Sequence, residues 1–127
     1  MSDRIRVCIA DDNEEFTDFL CSCMEQYPDI EITGTAKNGI ETMEALKQTK
    51  PDLLLLDIAM PEMDGLQVLE RLNAMEGQRT PVFVLAALGE DTIIKRAVNL
   101  GAEYYFIKPI MSESIVTRIR SYFKHHN

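Results

Sequence analysis

The feature that most limits the possible folds of this chain is a regular alternation of short apolar runs with stretches of helical period. The apolar runs predict five strands, at Ile5–Ala10, Ile30–Ala36, Leu53–Asp57, Val82–Ala86 and Tyr104–Ile107. The helical stretches lie between and after them, at roughly Glu14–Gln26, Ile40–Gln48, Leu66–Glu76, Thr92–Leu100 and Ser112–Lys124. Strands that are apolar at nearly every position are typical of parallel sheets covered by helices on both faces. The pattern therefore predicts an α/β fold, a doubly wound five-stranded parallel sheet with the flavodoxin-like order 2-1-3-4-5.

Two of the predicted helices carry apolar stripes that indicate which side faces the core. We expect both stripes to be buried against the sheet, because their members recur at helical spacing. The stripe of the first helix consists of Phe16, Phe19, Leu20 and Cys23, and that of the third consists of Leu66, Leu69 and Leu72 beside Val68.

Four charged residues stand where the predicted strands end. Asp11 and Asp12 follow the first strand, Asp57 ends the third, and Lys108 follows the fifth. The carboxyl ends of parallel strands meet at one edge, where open α/β sheets bind ligands, so we expect these side chains to lie together. Three carboxylates and one ammonium would form a divalent-cation site beside a nucleophilic carboxylate. Taken singly, each residue also has an ordinary explanation, the aspartates as helix caps or turn residues and the lysine as a surface side chain.

Composition and charge exclude several classes of protein. The 127 residues suffice for one domain, which we assign to residues 1–127 with a core at about 4–124. The net charge of −8 argues against binding of this domain to nucleic acid or to an anionic membrane, since such binding depends on clustered Lys and Arg. No long apolar segment follows basic residues at the N-terminus, so we expect neither a signal peptide nor a membrane span. The three cysteines, an odd count, are expected to be buried apolar residues in a protein of the reducing cytoplasm.

Three sequence blocks resemble the signature blocks of the receiver domains of two-component response regulators. They are VCIADDN (residues 7–13), LLLDIAMPEMDG (54–65) and GAEYYFIKP (101–109). The resemblance extends over about residues 4–124 and implies a phosphoacceptor domain of phosphorelay signalling. Within that family, the segments ADDN, DGLQVLERL and KRAVNLGA are most similar to receivers of the transcription factors that control sporulation in spore-forming Firmicutes.

The resemblance implies a role for each residue at the predicted edge. Asp57 would be the phosphoacceptor, attacking a phosphohistidine donor to form an acyl phosphate. Asp11, Asp12, Asp57 and the backbone carbonyl of Ala59 would hold Mg²⁺ or another divalent cation, which prefers such oxygen ligands. Lys108 would pair with the phosphoryl oxygens as a point charge. Such a domain is a signalling module and not an enzyme, because it catalyses only its own phosphorylation and dephosphorylation.

The resemblance also implies partners. The donor would be a histidine kinase or a histidine phosphotransferase. Phosphorylation would be sensed at the face formed by the fourth helix, the fifth strand and the fifth helix, and a partner, a second copy in a homodimer or an output domain would bind there. The chain ends just past the fifth predicted helix, so we expect either a stand-alone carrier or the receiver of a longer DNA-binding regulator; the sporulation resemblance favours the second. The family also has a cis peptide bond after the lysine, here before Pro109.

One position departs from the family pattern. Receivers carry Thr or Ser at the end of the fourth strand, where the hydroxyl bonds a phosphoryl oxygen, and this chain has Ala86 there. The backbone N–H of Ala87 can still donate, and the aromatic partner of the hydroxyl is present as Tyr105. We therefore expect phosphoryl transfer and metal binding to survive, with weak coupling between position 86 and the aromatic ring.

Three other functions are compatible with the same fold. A phosphatase of the haloacid dehalogenase type needs a second Asp two residues after the nucleophile, and Ala59 occupies that position. A flavin-binding module needs a phosphate-cradling loop after the first strand, where this chain has acidic residues. A pseudo-receiver that signals only through protein contacts is disfavoured by the four charged residues, although Ala86 leaves it open.

Overall fold

The computed structural model describes residues 4–75, 77 and 79–125, in which five strands alternate with five helices. The strands are β1 (Ile5–Ala10), β2 (Ile30–Ala36), β3 (Leu53–Asp57), β4 (Val82–Ala86) and β5 (Tyr104–Ile107), and all five have the predicted bounds. The helices are α1 (Glu14–Met24), α2 (Gly39–Thr49), α3 (Gly65–Ala74), α4 (Asp91–Asn99) and α5 (Ser112–His125). Helices α1 and α5 start where predicted, and the other helix ends differ from prediction by one or two residues. The predicted end of α3 at Glu76 lies outside the described residues. No helix in the described part of the chain is long and apolar enough to cross a membrane.

The five strands form one parallel sheet in the order β2-β1-β3-β4-β5, which confirms the predicted topology. Helices α2, α3 and α4 contribute to the apolar core on one face, and α1 and α5 contribute to the core on the other. The sheet is therefore covered on both sides, and the direction of winding reverses between β1 and β3. Ligands of such folds bind at that switch point, outside the carboxyl ends of the strands.

The central strand β3 is apolar at successive positions because both of its faces are buried. Leu53 and Leu55 pack into the core beside α1 and α5, whereas Leu54 and Leu56 pack into the core beside α2, α3 and α4. All four are fully buried, because successive side chains of a strand point to opposite faces and both faces are covered. Burial of each leucine contributes roughly 1.5–3 kcal/mol to folding.

The predicted apolar stripe of α1 is wrong in part. Its buried residues are Thr17, Leu20 and Met24, whereas Phe19 is 57% exposed. The buried line is displaced by one residue from the prediction, because packing against the sheet and α5 decides which side of α1 faces the core. The predicted stripe of α3 is buried as expected.

The cysteines also differ in part from the expectation. Cys8 is buried, but Cys21 and Cys23 are only half-buried, on the flanks of the buried line of α1. All three are free thiols. Burial raises the pKa of the Cys8 thiol to about 11, so that side chain behaves as an unreactive apolar residue.

Candidate functional site

The carboxyl edge of the sheet brings together the four charged side chains that the sequence pattern singled out. Asp11 follows β1 directly, and Asp57 is the last residue of β3, the strand that pairs with β1. Lys108 follows β5 and is joined to Pro109 by a cis peptide bond, as the family resemblance implied. Asp12 is exposed beside Asp11, so the two neighbours divide between the interior and the solvent. The cluster thus lies at the switch point between β1 and β3.

The ammonium of Lys108 lies between two buried carboxylates. Its Nζ atom is 2.6 Å from Asp11 Oδ2 and 3.8 Å from Asp57 Oδ2. Only 2% of Asp11 and 6% of Asp57 is exposed to solvent. A buried charge without a partner is strongly unfavourable, and the lysine supplies that partner here. The same Nζ lies 4.5 Å from the centre of the Phe16 ring, a cation–π contact that covers the ammonium from the α1 side.

Each buried carboxylate also accepts a hydrogen bond from the backbone of the loop that follows it. The N–H of Asn13 donates to Asp11 Oδ1 at 2.9 Å, and the N–H of Ala59 donates to Asp57 Oδ1 at 3.1 Å. In both residues this leaves Oδ2 on the lysine side. The backbone bonds therefore orient the two carboxylates toward a common centre, instead of leaving them free to cap helices. Asn13, not either aspartate, caps α1 by accepting from the N–H of Phe16.

Asp57 has an electrostatic environment that opposes its ionisation. The pKa of Asp57 is raised to about 7, chiefly by burial and also by the charges of Asp11 and Asp12, while the Ala59 N–H and Lys108 act in the opposite direction. One carboxylate oxygen from each of Asp11, Asp12 and Asp57 lies within 4.8 Å of the other two. A divalent cation among them would relieve this repulsion, because oxygen ligands of this kind are those that hard cations prefer.

Two glycines hold the loop behind Asp57, and the sequence pattern assigned neither of them a role at the site. The Gly39 N–H donates to the Met63 carbonyl at 2.8 Å, and the Gly65 N–H donates to the Ile58 carbonyl at 3.2 Å. A Cβ atom at Gly39 would be 2.3 Å from the Met63 oxygen, and one at Gly65 would be 2.6 Å from the Asp57 oxygen. Both glycines are therefore required for close backbone approach.

The two positions expected to couple phosphorylation to the rest of the molecule, Ala86 and Tyr105, differ in their exposure to solvent. Ala86 is fully buried at the end of β4, and its carbonyl accepts from the Lys108 N–H at 2.8 Å. Tyr105 is 43% exposed, and its ring stacks on Tyr104 with 6.0 Å between centroids. Sequence reasoning missed Glu90, whose side chain accepts a hydrogen bond from the Ala87 N–H. A glutamate four residues after a strand end was the only available signal.

Comparison with known proteins gives one family and one fold. A family model described as the response regulator receiver domain matches residues 7–120. The structure is similar to the signal receiver domain of a response regulator, NarL, of Mycobacterium tuberculosis, with a TM-score of 0.88, 28% identity, and coverage of 97% of this chain and 98% of that one. It is also similar to the response regulator domain of Thermotoga maritima CheB, with a TM-score of 0.82, 29% identity, and coverage of 93% and 95%.

A third similar structure is a DNA-binding response regulator of the LuxR family from Staphylococcus aureus. Its TM-score is 0.84 and its identity 24%, with coverage of 92% of this chain and 97% of that one. At this identity the likeness shows the fold alone. All three likenesses extend over more than nine-tenths of both chains, so they concern the whole sheet and not a single motif.

Proposed function

Because the chain belongs to the family of response regulator receiver domains, we propose that Asp57 accepts a phosphoryl group from a phosphohistidine donor in a step that depends on a divalent cation. Domains of this family are signalling domains and not enzymes in the usual sense, and they pair with histidine kinases or phosphotransferases. The observation that carries the proposal is the buried carboxylate of Asp57, 3.8 Å from the Lys108 ammonium and within 4.8 Å of two further carboxylates.

The proposed step makes one P–O bond and breaks one P–N bond. An oxygen of ionised Asp57 attacks phosphorus, and the donor imidazole leaves with the electron pair of the P–N bond. A phosphoimidazole protonated on its other nitrogen leaves as neutral imidazole, so this chain has to supply no proton. The Ala59 N–H holds Oδ1, which leaves Oδ2, on the Lys108 side, as the oxygen that attacks. Lys108 then stabilises the charge on the transferred group, as positioned cations do in phosphoryl transfer.

Asp11, Asp12 and Asp57, together with the backbone carbonyl of Ala59, are the proposed ligands of Mg²⁺. Receiver domains generally use Mg²⁺ at an acidic pocket, and the three carboxylates here form such a cluster. Mg²⁺ usually retains several waters and takes one or two protein carboxylates directly, so one of the three carboxylates would bind it through a retained water. When bound, the ion would neutralise charge on the phosphoryl oxygens.

We further propose that the phosphorylated state is passed on through the face formed by α4, β5 and α5. Val98, Tyr105 and Ile107 are apolar or aromatic residues exposed on this face, and a homodimer or an output domain could cover them. The sporulation-type segments favour a transcription regulator of the sporulation phosphorelay, with the receiver as one domain over residues 1–127. Free cysteines agree with a cytoplasmic protein. Ala86 supplies no hydroxyl, so we propose weak coupling to Tyr105.

The proposal is tested by labelling with acetyl phosphate and measuring the intact mass. We expect one phosphoryl adduct that requires Mg²⁺ and is absent in Asp57→Asn. The matched control is Glu62→Gln, which removes an exposed acid from the same loop and should be labelled normally. An adduct that persists in Asp57→Asn, or that forms equally in chelator, would contradict the assignment. No adduct under any condition would favour a receiver that signals only through protein contacts.

A further inference from the structure

The turn that joins β4 to α4, residues 87–90, is closed by two hydrogen bonds between Ala87 and Glu90. The Glu90 N–H donates to the Ala87 carbonyl at 3.3 Å, and the Ala87 N–H donates to Glu90 Oε1 at 2.7 Å. Gly89 has φ +92°, the conformation that the third position of such a turn requires and that glycine adopts without strain. The carboxylate of Glu90 is therefore held against the backbone of Ala87.

Ala87 lies at the same edge of the sheet as the acidic cluster. Leu85 is the register partner of Asp57, and the carbonyl of Ala86 accepts from the Lys108 N–H. The N–H of Ala87 is thus the next backbone donor beyond β4, between the strand end that carries Asp57 and the one that leads to Lys108. A phosphoryl group on Asp57 needs N–H donors around its oxygens. The neighbouring side chain, that of Ala86, has none to offer.

Helix α4 begins differently from the three helices before it. Asn13, Asn38 and Asp64 cap α1, α2 and α3 with their side chains. Among the described residues, no side chain makes such a bond to the first turn of α4, although Glu90 stands at its N-cap position. The carboxylate of Glu90 therefore serves the backbone of the turn and not the helix.

We infer that the Glu90 carboxylate is a built-in substitute for the phosphoryl group, occupying the Ala87 N–H until phosphorylation displaces it. The inference rests on the proposed phosphorylation of Asp57. Two anions cannot share one N–H donor, and a phosphoryl group beside Glu90 would also repel it. Displacement releases the side chain that closes the turn into α4. The turn then responds to phosphorylation in place of the hydroxyl that position 86 lacks.

This arrangement opposes phosphorylation, because the hydrogen bond between Ala87 and Glu90 has to break before the phosphoryl group can use the Ala87 N–H. The free energy of that bond is subtracted from the preference of the phosphoryl group for the displaced state over the closed one. Removing the carboxylate should therefore strengthen binding of a phosphoryl group or its mimic. A residue with only a structural role would have the opposite effect, since its loss would loosen the site.

The test is the affinity of beryllofluoride, a phosphoryl mimic, for the full chain in excess Mg²⁺. Glu90→Ala removes both the acceptor and the charge, whereas Glu90→Gln keeps an acceptor oxygen without the charge. Asp91→Asn removes the neighbouring charge on α4 and is the matched control. We expect beryllofluoride to bind about fivefold more tightly to Glu90→Ala than to the unmodified chain, with Glu90→Gln between them and Asp91→Asn within about twofold of the unmodified chain.

Amide spectra of the unliganded protein give a second readout. The Ala87 amide proton should move upfield in Glu90→Ala, because its hydrogen bond to a carboxylate is lost, and should stay in place in Asp91→Asn. Glu90→Gln should restore part of the shift. A general loosening of α4 would not produce this pattern.

The outcomes separate the inference from the function on which it rests. Equal or weaker binding by Glu90→Ala, with the mimic still bound at Asp57, would overturn the inference and leave the proposed function intact. Equal affinities of Glu90→Gln and Glu90→Ala for beryllofluoride would show that charge repulsion alone explains the effect. The inference that Glu90 substitutes for the phosphoryl group through its hydrogen bond would then be wrong. Absence of binding in every variant, with no labelling of Asp57, would overturn the proposed function and the inference together.

Discussion

At the scale of single residues, stability and chemistry make opposite demands on Asp57. The fold favours its neutral form, since burial and two neighbouring carboxylates raise its pKa to about 7. Nucleophilic attack requires the ionised form. Lys108 lowers the pKa of Asp57, and a divalent cation at the proposed site would lower it further, because both favour the charged carboxylate.

Without metal, Asp57 should make the protein less stable as the pH rises. Its pKa in the folded state is about 7, above the ordinary value of 3.8, so the stability that it contributes is present at low pH and is lost as the pH rises through about 7. Asp57→Asn lacks this loss. In chelator, the advantage of Asp57→Asn over the unmodified chain in free energy of unfolding should therefore grow between about pH 6 and about pH 8. Urea denaturation at both values measures it, and a constant advantage would contradict the raised pKa.

Magnesium should raise the melting temperature of the unmodified domain. Binding to the folded state alone stabilises it by roughly 1.4 kcal/mol when the free ion is at ten times its Kd. Asp12→Ala should abolish this response without unfolding the domain, because Asp12 is exposed. Asp18→Ala, an exposed aspartate on α1 outside the cluster, is the control and should respond normally. An unchanged melting curve at millimolar Mg²⁺ would show that the proposed metal site is wrong.

At the scale of elements, the site depends on how closely α2 and α3 approach the loop that follows β3. Gly39 and Gly65 begin these helices, and each donates its N–H to a carbonyl of the segment 58–63. Asp64 and Gln67 close a reciprocal capping box at the start of α3, which fixes the other end of the loop. The Ala59 backbone, which orients Asp57, is therefore positioned by these helix starts together with the sheet, where the Ile58 N–H donates to the Leu85 carbonyl at 3.1 Å.

Gly65→Ala should destabilise the domain and weaken its response to Mg²⁺. The added Cβ would lie 2.6 Å from the Asp57 carbonyl oxygen and from Ile58 Cα, so the backbone beside the site has to shift. We expect a loss of about 1–3 kcal/mol in the free energy of unfolding. Gly34→Ala is the control, because its nearest neighbour would be a methyl group at 3.9 Å. Equal unfolding free energies of the two variants would contradict the close approach at Gly65.

At the scale of the whole molecule, one sheet separates two apolar cores and supports the site at its edge. Phe83, in β4, is fully buried in the core shared with α1 and α5. Its ring makes edge contacts with Tyr104, Phe106 and Tyr122, at centroid distances of 6.0, 6.2 and 5.5 Å. This aromatic cluster joins β4, β5 and α5, and none of the four charged residues at the sheet edge belongs to it.

Phe83→Leu should lower the stability of the whole domain without changing its chemistry. Loss of the ring contacts and imperfect refilling of the space should reduce the free energy of unfolding by about 1–2 kcal/mol. Phe19→Leu, at an exposed position of α1, should change it by less than about 0.5 kcal/mol. Labelling of Asp57 and stabilisation by Mg²⁺ should persist in both. If Phe83→Leu abolished labelling while remaining folded, the separation of core and site would be wrong.

The sequence by itself determined the elements, their order and the edge at which the charged residues gather. The bounds of all five strands were predicted correctly. For β3 and β4 they followed from continuous apolar runs, because a strand that is buried on both faces is apolar at nearly every position. The placement of Asp11, Asp57 and Lys108 followed from topology, because parallel strands end at one edge. These are local or topological properties, and a sequence pattern records them directly.

Only the tertiary structure decided the contacts that make those residues a site. It determined that Lys108 bonds Asp11, 97 residues away in the chain, more closely than Asp57. It also determined that Thr17 and Met24, and not Phe19, face the core, and that Glu90 turns to Ala87 instead of capping α4. Such choices depend on distances and angles between elements far apart in sequence, where several partners of similar energy compete. No spacing along the chain can express that competition, because the packed molecule alone sets which partner is within reach.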